Sequence, residues 1–305
     1  MKSIFKPVVA AMLLFSVSAQ ARQIEFSQAA SGETVEFTYR WDDRFGRPDG
    51  VIMSVLKQDI DAHLNDPKMK IRPKALAGWL FEHVRQEAAR LSTDGYSITV
   101  SNNDGMVSIQ GKGIDQKVLN DRVEQVKAIN QRALEHLESN SYFMLVDGEI
   151  RLDYKEIVDT STSLLGPVAS IMTDTRVSTR ENIERYLPFL QNIPYDRLDG
   201  DEEFGLYTPM HMLITNKGDC ESKQLALATM IRSQYPTADM IMLGLVDHMV
   251  IGVAIAPQVG DQTFMHQGRL YVLMDATGPA LSKPGHLSER EVKRLSAGEG
   301  IVFPI

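Results

Sequence analysis

Cysteine is almost absent from this chain of 305 residues, in which Cys220 is the only one. One cysteine cannot close an internal disulfide, so a disulfide framework is excluded. A single thiol in an exported protein indicates intermolecular pairing or a reactive side chain. It can also be an inert buried residue that behaves as a small apolar group. Composition alone leaves these interpretations open.

Basic residues are scarce relative to acidic ones. The chain has 32 Lys and Arg against 40 Asp and Glu, which gives a formal net charge of −8 at pH 7. Binding to nucleic acid depends on clustered Lys and Arg that neutralise phosphates. The acidic balance therefore argues against nucleic acid as a partner.

Long hydrophobic runs are also missing. The run over residues 7–17 is too short to span a bilayer as an ordinary helix. It follows Lys2 and Lys6 and precedes the small-residue sequence Ala19-Gln20-Ala21, an order typical of a secretory signal peptide cleaved after Ala21. We therefore expect residues 1–21 to be a signal peptide and the mature protein to be periplasmic or secreted.

A second apolar run covers residues 240–256. It is shorter than a spanning helix, and Asp247-His248 interrupts it. After cleavage of the signal peptide we expect no stable membrane span.

The hydrophobic pattern of residues 22–155 alternates between strand and helix. Helices are predicted over 75–91 and 114–137, and hairpins around 102–105 and Asp147-Gly148. Residues 155–192 are predicted to be helical, with interruptions near Gly166-Pro167 and over 173–178. We predict an α+β fold with an N-terminal α+β domain of unknown role over 22–155 and a second domain over 156–305.

Cys220 lies between the turn residues Gly218-Asp219 and a predicted helix over residues 221–233. The free backbone N–H groups in the first turn of a helix favour an anion, so they stabilise a thiolate. The same groups can face the oxyanion that develops during acyl transfer. The glycine two positions before the cysteine would let a substrate approach the backbone closely. This context favours a reactive thiol.

His248 and Asp275 are candidates to complete the site. His248 interrupts an apolar, strand-forming segment, and Asp275 ends the strand predicted over residues 269–274. The two lie 28 and 55 positions after Cys220, which leaves room for a helix and an antiparallel strand pair between them. His248 would deprotonate Cys220, and Asp275 would fix the imidazole tautomer. Taken singly, the His is more often a satisfied core residue and the Asp a turn residue; the ordered set favours catalysis.

Four segments in order resemble the bacterial transglutaminase-like superfamily: residues 189–195 (FLQNIPY), 218–223 (GDCESK), 247–253 (DHMVIGV) and 274–277 (MDAT). The resemblance covers about residues 180–280. It implies a papain/transglutaminase-like core, with a Cys helix packed on an antiparallel sheet, and a triad of Cys220, His248 and Asp275. Ser222 and Asp247 depart from the family's usual Asp and Gly, and Asn216-Lys217-Gly218 is less glycine-rich, but no triad member is lost.

Two further features are weaker candidates. Gln191 could supply a second oxyanion donor or line the groove through its amide, although a solvent-exposed amide at a helix end is the commoner case. The acidic segment 196–203 offers Asp196, Asp199 and Asp201 as candidate Ca²⁺ ligands. It lacks the spacing of a known calcium loop, so a solvated acidic loop is favoured and we predict no obligatory cofactor or metal.

These observations predict a periplasmic cysteine peptidase or amidase that acts on a protein or peptide substrate, with the cell envelope as one source of that substrate. The same residues serve a transglutaminase or transpeptidase, in which an amine replaces water as acceptor. Two competing hypotheses are a non-catalytic binding module on the same fold and a Cys/His/Asp zinc site.

Overall fold

The computed structural model of the chain describes residues 20–70, 73–103, 106–146, 149–197 and 206–305. The predicted signal peptide lies outside these residues except for Gln20 and Ala21. Asp104-Gly105 and Asp147-Gly148, in the turns of the two predicted hairpins, also lie outside them.

Helices and antiparallel strands alternate through the described residues, which confirms the predicted α+β class. The strands are β1 (Gln23–Ser31), β2 (Thr34–Asp42), β3 (Pro48–Leu56), β4 (Ser97–Asn103), β5 (Met106–Lys112), β6 (Phe143–Val146), β7 (Glu149–Leu152), β8 (Met240–Leu245), β9 (His248–Val253), β10 (Thr263–His266), β11 (Arg269–Met274) and β12 (Ile301–Pro304). The helices are α1 (Lys57–Leu64), α2 (Pro73–Leu91), α3 (Gln116–Asn140), α4 (Tyr154–Met172), α5 (Thr179–Asn192), α6 (Pro209–Thr215), α7 (Cys220–Gln234) and α8 (Glu289–Ser296).

The strands form two sheets and two separate hairpins. β1, β2 and β3 make an antiparallel meander, and β4–β5 and β6–β7 are the hairpins. The larger sheet has five strands in the order β10-β11-β9-β8-β12, and every neighbouring pair in it is antiparallel. This sheet carries two of the predicted site residues at its strand ends.

The N-terminal meander packs on the C-terminal half of the chain. Alternate residues of β2 point inward, so Phe37, Tyr39 and Trp41 are buried on one face. Tyr39 and Trp41 each contact Phe189 of α5 with ring centroids 5.2 Å apart. The main hydrophobic cluster thus joins residues from both sides of the predicted boundary at 155/156, and the division into two domains stays a prediction.

Helix α4 differs from its prediction at Gly166-Pro167, where it continues without a break. Proline removes one backbone hydrogen bond from a helix, but here the flanking residues Leu165 and Val168 are completely buried against neighbouring elements. Tertiary packing of α4 therefore outweighs the helix-breaking tendency of Gly166-Pro167. The second predicted interruption is confirmed, because α4 ends at Met172 and α5 begins at Thr179 behind a capping box from Ser178.

Helix α7 lies against the larger sheet and contacts β9. Its residues from Ser222 to Ile231 are all buried, and so are the apolar residues of β8 and β9. The apolar run at 240–253 is a hairpin whose two-residue turn is Val246-Asp247. In the part of the chain that the structure describes, no helix combines the length and apolar character needed to cross a bilayer.

Candidate active site

Helix α7 begins at Cys220, and Asp219 is its N-cap. The Asp219 carboxylate accepts hydrogen bonds from the Ser222 N–H at 2.8 Å and the Ser222 hydroxyl at 2.6 Å. An aspartate in this position satisfies one of the free donors of the first turn and fixes where the helix starts. Cys220 is half-buried at the first helical position, as the sequence predicts.

Gly218 precedes the helix in a tightly held segment. Its N–H donates to the Pro194 carbonyl, and its own carbonyl accepts from the Asp196 N–H. A Cβ on Gly218 would lie 2.8 Å from the Met212 side chain, and the residue is buried. The space beside this glycine is therefore filled by Met212, which differs from the predicted close approach of a substrate to the backbone.

His248 and Asp275 meet at the ends of adjacent strands. His248 is the first residue of β9, and Asp275 directly follows β11, which pairs with β9. The His248 Nε2 atom lies 2.9 Å from Asp275 Oδ2. Cys220 lines the same groove as His248 and is near enough to the imidazole to raise its pKa. Because Nε2 faces Asp275, Nδ1 is the nitrogen left for the thiol. The three predicted residues are thus brought together.

Electrostatic effects on the pair reinforce one another. Burial by itself lowers the pKa of His248, but the hydrogen bond to Asp275, the negative charge of that carboxylate and the nearby Cys220 raise it overall, to about 10. Burial raises the pKa of Asp275, and the hydrogen bond and positive charge of His248 more than offset this, so that the pKa lies below its usual value. A protonated imidazole beside an ionised Asp275 carboxylate is the state that these contacts favour.

Polar side chains are buried immediately behind the pair. Lys223 is 1% exposed, and its Nζ donates to the Ile193 carbonyl at 2.5 Å and the Thr277 carbonyl at 2.6 Å. Burial lowers the pKa of Lys223 to about 8. Gln224 is completely buried and donates to the Asp275 carboxylate.

Both residues were missed in the sequence. The sequence does contain an indication of their role, because these two polar residues follow Cys220 by one helical turn on a helix that is otherwise largely apolar.

Gln191 also lies behind the pair, and not in solvent. It is 1% exposed, and its amide nitrogen donates to the Asp275 carbonyl at 2.7 Å and to the Ser282 carbonyl and hydroxyl at 3.1 and 3.0 Å. With its two N–H groups used in these contacts, it has no donor free for an oxyanion in this arrangement. Its contacts hold the loop after β11 in place, which differs from the predicted groove role.

A groove of about 560 Å³ opens in front of the pair. Its lining includes the nucleophile and base candidates, three carboxylates and several apolar side chains: Cys220, Glu221, Gly244, Leu245, Val246, Asp247, His248, Met249, Glu299, Gly300, Ile301 and Phe303. Tyr154 donates a hydrogen bond to Glu221. Burial raises the pKa of Glu221 to about 7, although that hydrogen bond acts in the opposite direction.

Of the three candidate calcium ligands, Asp196 lies within the described residues. Asp196 pairs with Lys217 at 2.7 Å, whereas Asp199 and Asp201 lie outside the described residues. Among the residues with described positions, one group has the spacing of metal ligands, and it combines His248 and Asp275 with Glu291 of α8 rather than with Cys220. The group that could bind zinc therefore contains the predicted His248 and Asp275, with Glu291 in place of Cys220 as the third ligand.

Comparison of the chain with protein-family models, with curated proteins and with solved structures found no match.

Proposed function

We propose that this protein is a thiol hydrolase, a peptidase or amidase, that uses Cys220 as nucleophile, His248 as base and Asp275 as the group that orients the base. The observation that carries the proposal is the 2.9 Å contact between His248 Nε2 and Asp275 Oδ2, with Cys220 beside His248 in the same groove. Nucleophilic acyl transfer requires a thiol beside a histidine base, a helix N-terminus and an open groove, and these features occur together here.

The fold around these residues supports the same proposal. A helix that begins with the nucleophile packs on an antiparallel strand that begins with the base, and the next strand ends at the third residue. This order of elements supports a papain/transglutaminase-like core, to which the four sequence segments also point. We infer that the chain has such a core.

In the proposed reaction His248 accepts the thiol proton, and the Cys220 sulfur attacks the carbonyl carbon of an amide in the groove. Backbone N–H groups of the first turn of α7 stabilise the oxyanion. The C–N bond then breaks, and His248 gives its proton to the departing amine. Water, deprotonated by His248, attacks the thioester and releases the carboxylate with the free thiol. Asp275 keeps the imidazole oriented throughout.

The substrate class that we propose is a protein or peptide, because the open groove can receive an extended segment with apolar side chains. The predicted signal peptide places the reaction in the periplasm or outside the cell. An amine could replace water as acceptor, and product analysis with and without an added amine separates hydrolysis from transamidation. A binding module that kept the fold is the competing non-catalytic hypothesis.

Alkylation by iodoacetamide tests the proposal without a known substrate. We expect the wild-type thiol to react rapidly near pH 6, where an unperturbed thiol, which ionises near about pH 8.5, reacts slowly. His248→Ala should shift the reaction to the unperturbed pH range. Identical curves for the two proteins, both typical of a free thiol, would favour the binding module. Cys220→Ala protein, which cannot turn over, is the bait for trapping substrates from an envelope extract.

A further inference from the structure

Gln224 lies on the helix that begins with Cys220 and contacts the strand that begins with His248 and the segment that contains Asp275. Its side chain is completely buried. The amide nitrogen donates to Asp275 Oδ1 at 2.8 Å and to the Met249 carbonyl at 3.1 Å. The amide oxygen accepts from the Ala276 N–H at 3.2 Å. One side chain thus reaches Asp275, the residue after Asp275 and the residue after His248.

The Asp275 carboxylate depends on these contacts for its orientation. Oδ2 faces His248, whereas Oδ1 accepts from Gln224 and from the Thr277 N–H at 2.8 Å. Because both oxygens have hydrogen-bond partners, rotation about the Cβ–Cγ bond would break bonds at both ends. The carboxylate plane is therefore fixed with one oxygen toward the imidazole.

The chemistry of the amide suits this place. A glutamine donates a hydrogen bond without adding charge, so it does not compete with the imidazolium for the carboxylate. A glutamate in its ionised form would repel Asp275, and an apolar side chain would leave Oδ1 with a single donor. Lys223 and Cys220 on α7 and Glu291 on α8 are ionisable groups near the pair, and Glu221, Asp247 and Glu299 line the same groove as His248.

The position of Gln224 on the helix matters as well. It follows Cys220 by four residues, so the two side chains lie on the same face of α7, one turn apart. The helix that carries the nucleophile therefore also carries the donor that orients the third residue. A shift of α7 would move both together, which preserves the geometry between the sulfur and the base.

We infer that Gln224 is a positioning residue that orients Asp275 toward His248 and ties this pair to the nucleophile helix; the inference rests on the proposed function. Gln224 contacts no reacting atom itself. Its loss acts through Asp275, by weakening the support that the carboxylate gives to the imidazolium, and hence the thiolate–imidazolium pair.

The test compares Gln224→Met with Thr229→Val by the pH dependence of iodoacetamide alkylation. Thr229 is an equally buried polar residue on the same helix, and its hydroxyl donates to the Leu225 carbonyl within that helix. We expect Gln224→Met to move the alkylation curve to higher pH, so that the rate at pH 6 falls about tenfold. Thr229→Val should leave the curve of the wild type unchanged.

Gln224→Glu, which keeps the shape of the side chain, replaces Gln224→Met in the comparison if the methionine variant does not fold, and we expect the same direction of shift. A folded Gln224 variant with the wild-type curve overturns the inference. An equal shift in Thr229→Val also overturns it, because the effect would then reflect general damage to α7. A wild-type curve that is already that of a free thiol contradicts the proposed function itself, which separates the two failures.

Discussion

The polar side chains on the two sides of the His248–Asp275 pair differ in burial: those on the helix side are buried, and the other side faces an open groove. Behind the pair, Lys223 and Gln224 are buried, and their hydrogen bonds end on carbonyls or on Asp275. In front of it, the exposed Asp247 and the half-buried Glu221 line an open groove, and Val246 is 81% exposed. Buried polar groups tolerate few arrangements because each lost partner is expensive, whereas exposed groups can exchange partners with water.

This difference suggests a division of roles. The buried side fixes the geometry of the proposed chemistry, and the open side is free to vary with the ligand. Substitutions behind the pair should therefore disturb stability and the thiol together. Substitutions of exposed groove residues should disturb neither strongly, whereas the triad residues and the half-buried Glu221 are exceptions. The predictions below test this division.

The largest loss of activity is expected for substitutions of the triad residues, which lie between the buried side and the groove. Cys220→Ala and His248→Ala should each lower kcat/KM on a trapped substrate by about 10³-fold or more, because each removes a reacting group. Asp275→Asn should be milder than either, since it disturbs orientation and tautomer. Val246→Ala, a matched change at the mouth of the groove, should stay within about tenfold. Circular dichroism checks that each variant is folded, and a fully active His248→Ala would end the triad hypothesis.

Lys223→Met tests the buried side. Methionine keeps the apolar stem but removes the donor, so the Ile193 and Thr277 carbonyls lose a partner inside the protein. We expect the free energy of unfolding in urea to fall by about 2 kcal/mol. Lys293→Met, on the exposed helix α8, should change it by less than about 0.5 kcal/mol. Equal values for the two variants would mean that the buried contacts do not stabilise the fold.

Glu221→Gln tests the half-buried carboxylate of the groove through the pH dependence of stability. The pKa of Glu221 is raised from 4.5 to about 7 in the folded protein, so the folded state binds more protons between these values than the unfolded state does. The stabilisation is fully present below about pH 4.5 and is lost as the pH rises through 7. Relative to Glu221→Gln, the wild type should lose about 1 to 2 kcal/mol of unfolding free energy over this range. Parallel stability curves for the two proteins would contradict the shift.

The sequence predicted the elements that carry the triad better than the contacts behind it. The start of α7 was correct to within one residue because Asp219 is a local capping signal, and β11 was correct because an apolar run ends at a charged residue. The break expected at Gly166-Pro167 was wrong because tertiary packing around α4 outweighs a local helix breaker.

The buried contacts could not be predicted in the same way. Gln191 and Gln224 approach Asp275 from different helices, across 84 and 51 positions of sequence. No periodicity reports which distant carbonyl a buried amide will face. The sequence shows only that polar residues occur on buried helix faces, which indicates that partners exist without identifying them.

The smallest effect is expected at the acidic segment that precedes the groove elements. Asp196 forms an exposed ion pair with Lys217, and the two side chains are 39% and 43% exposed. A Ca²⁺ ion would have to compete with that pair for the Asp196 carboxylate, and exposed pairs of this kind contribute only about 0 to 1 kcal/mol. The other ligands proposed from the sequence, Asp199 and Asp201, lie outside the described residues.

We therefore expect neither a chelator nor added Ca²⁺ to change the melting temperature or the alkylation rate. Asp196→Asn should match Asp121→Asn, an exposed aspartate of α3, to within about 0.5 kcal/mol. Calorimetry is the decisive measurement. Micromolar binding of Ca²⁺ that is lost in Asp196→Asn but kept in Asp121→Asn would contradict this expectation. It would show that the acidic segment binds Ca²⁺ through Asp196.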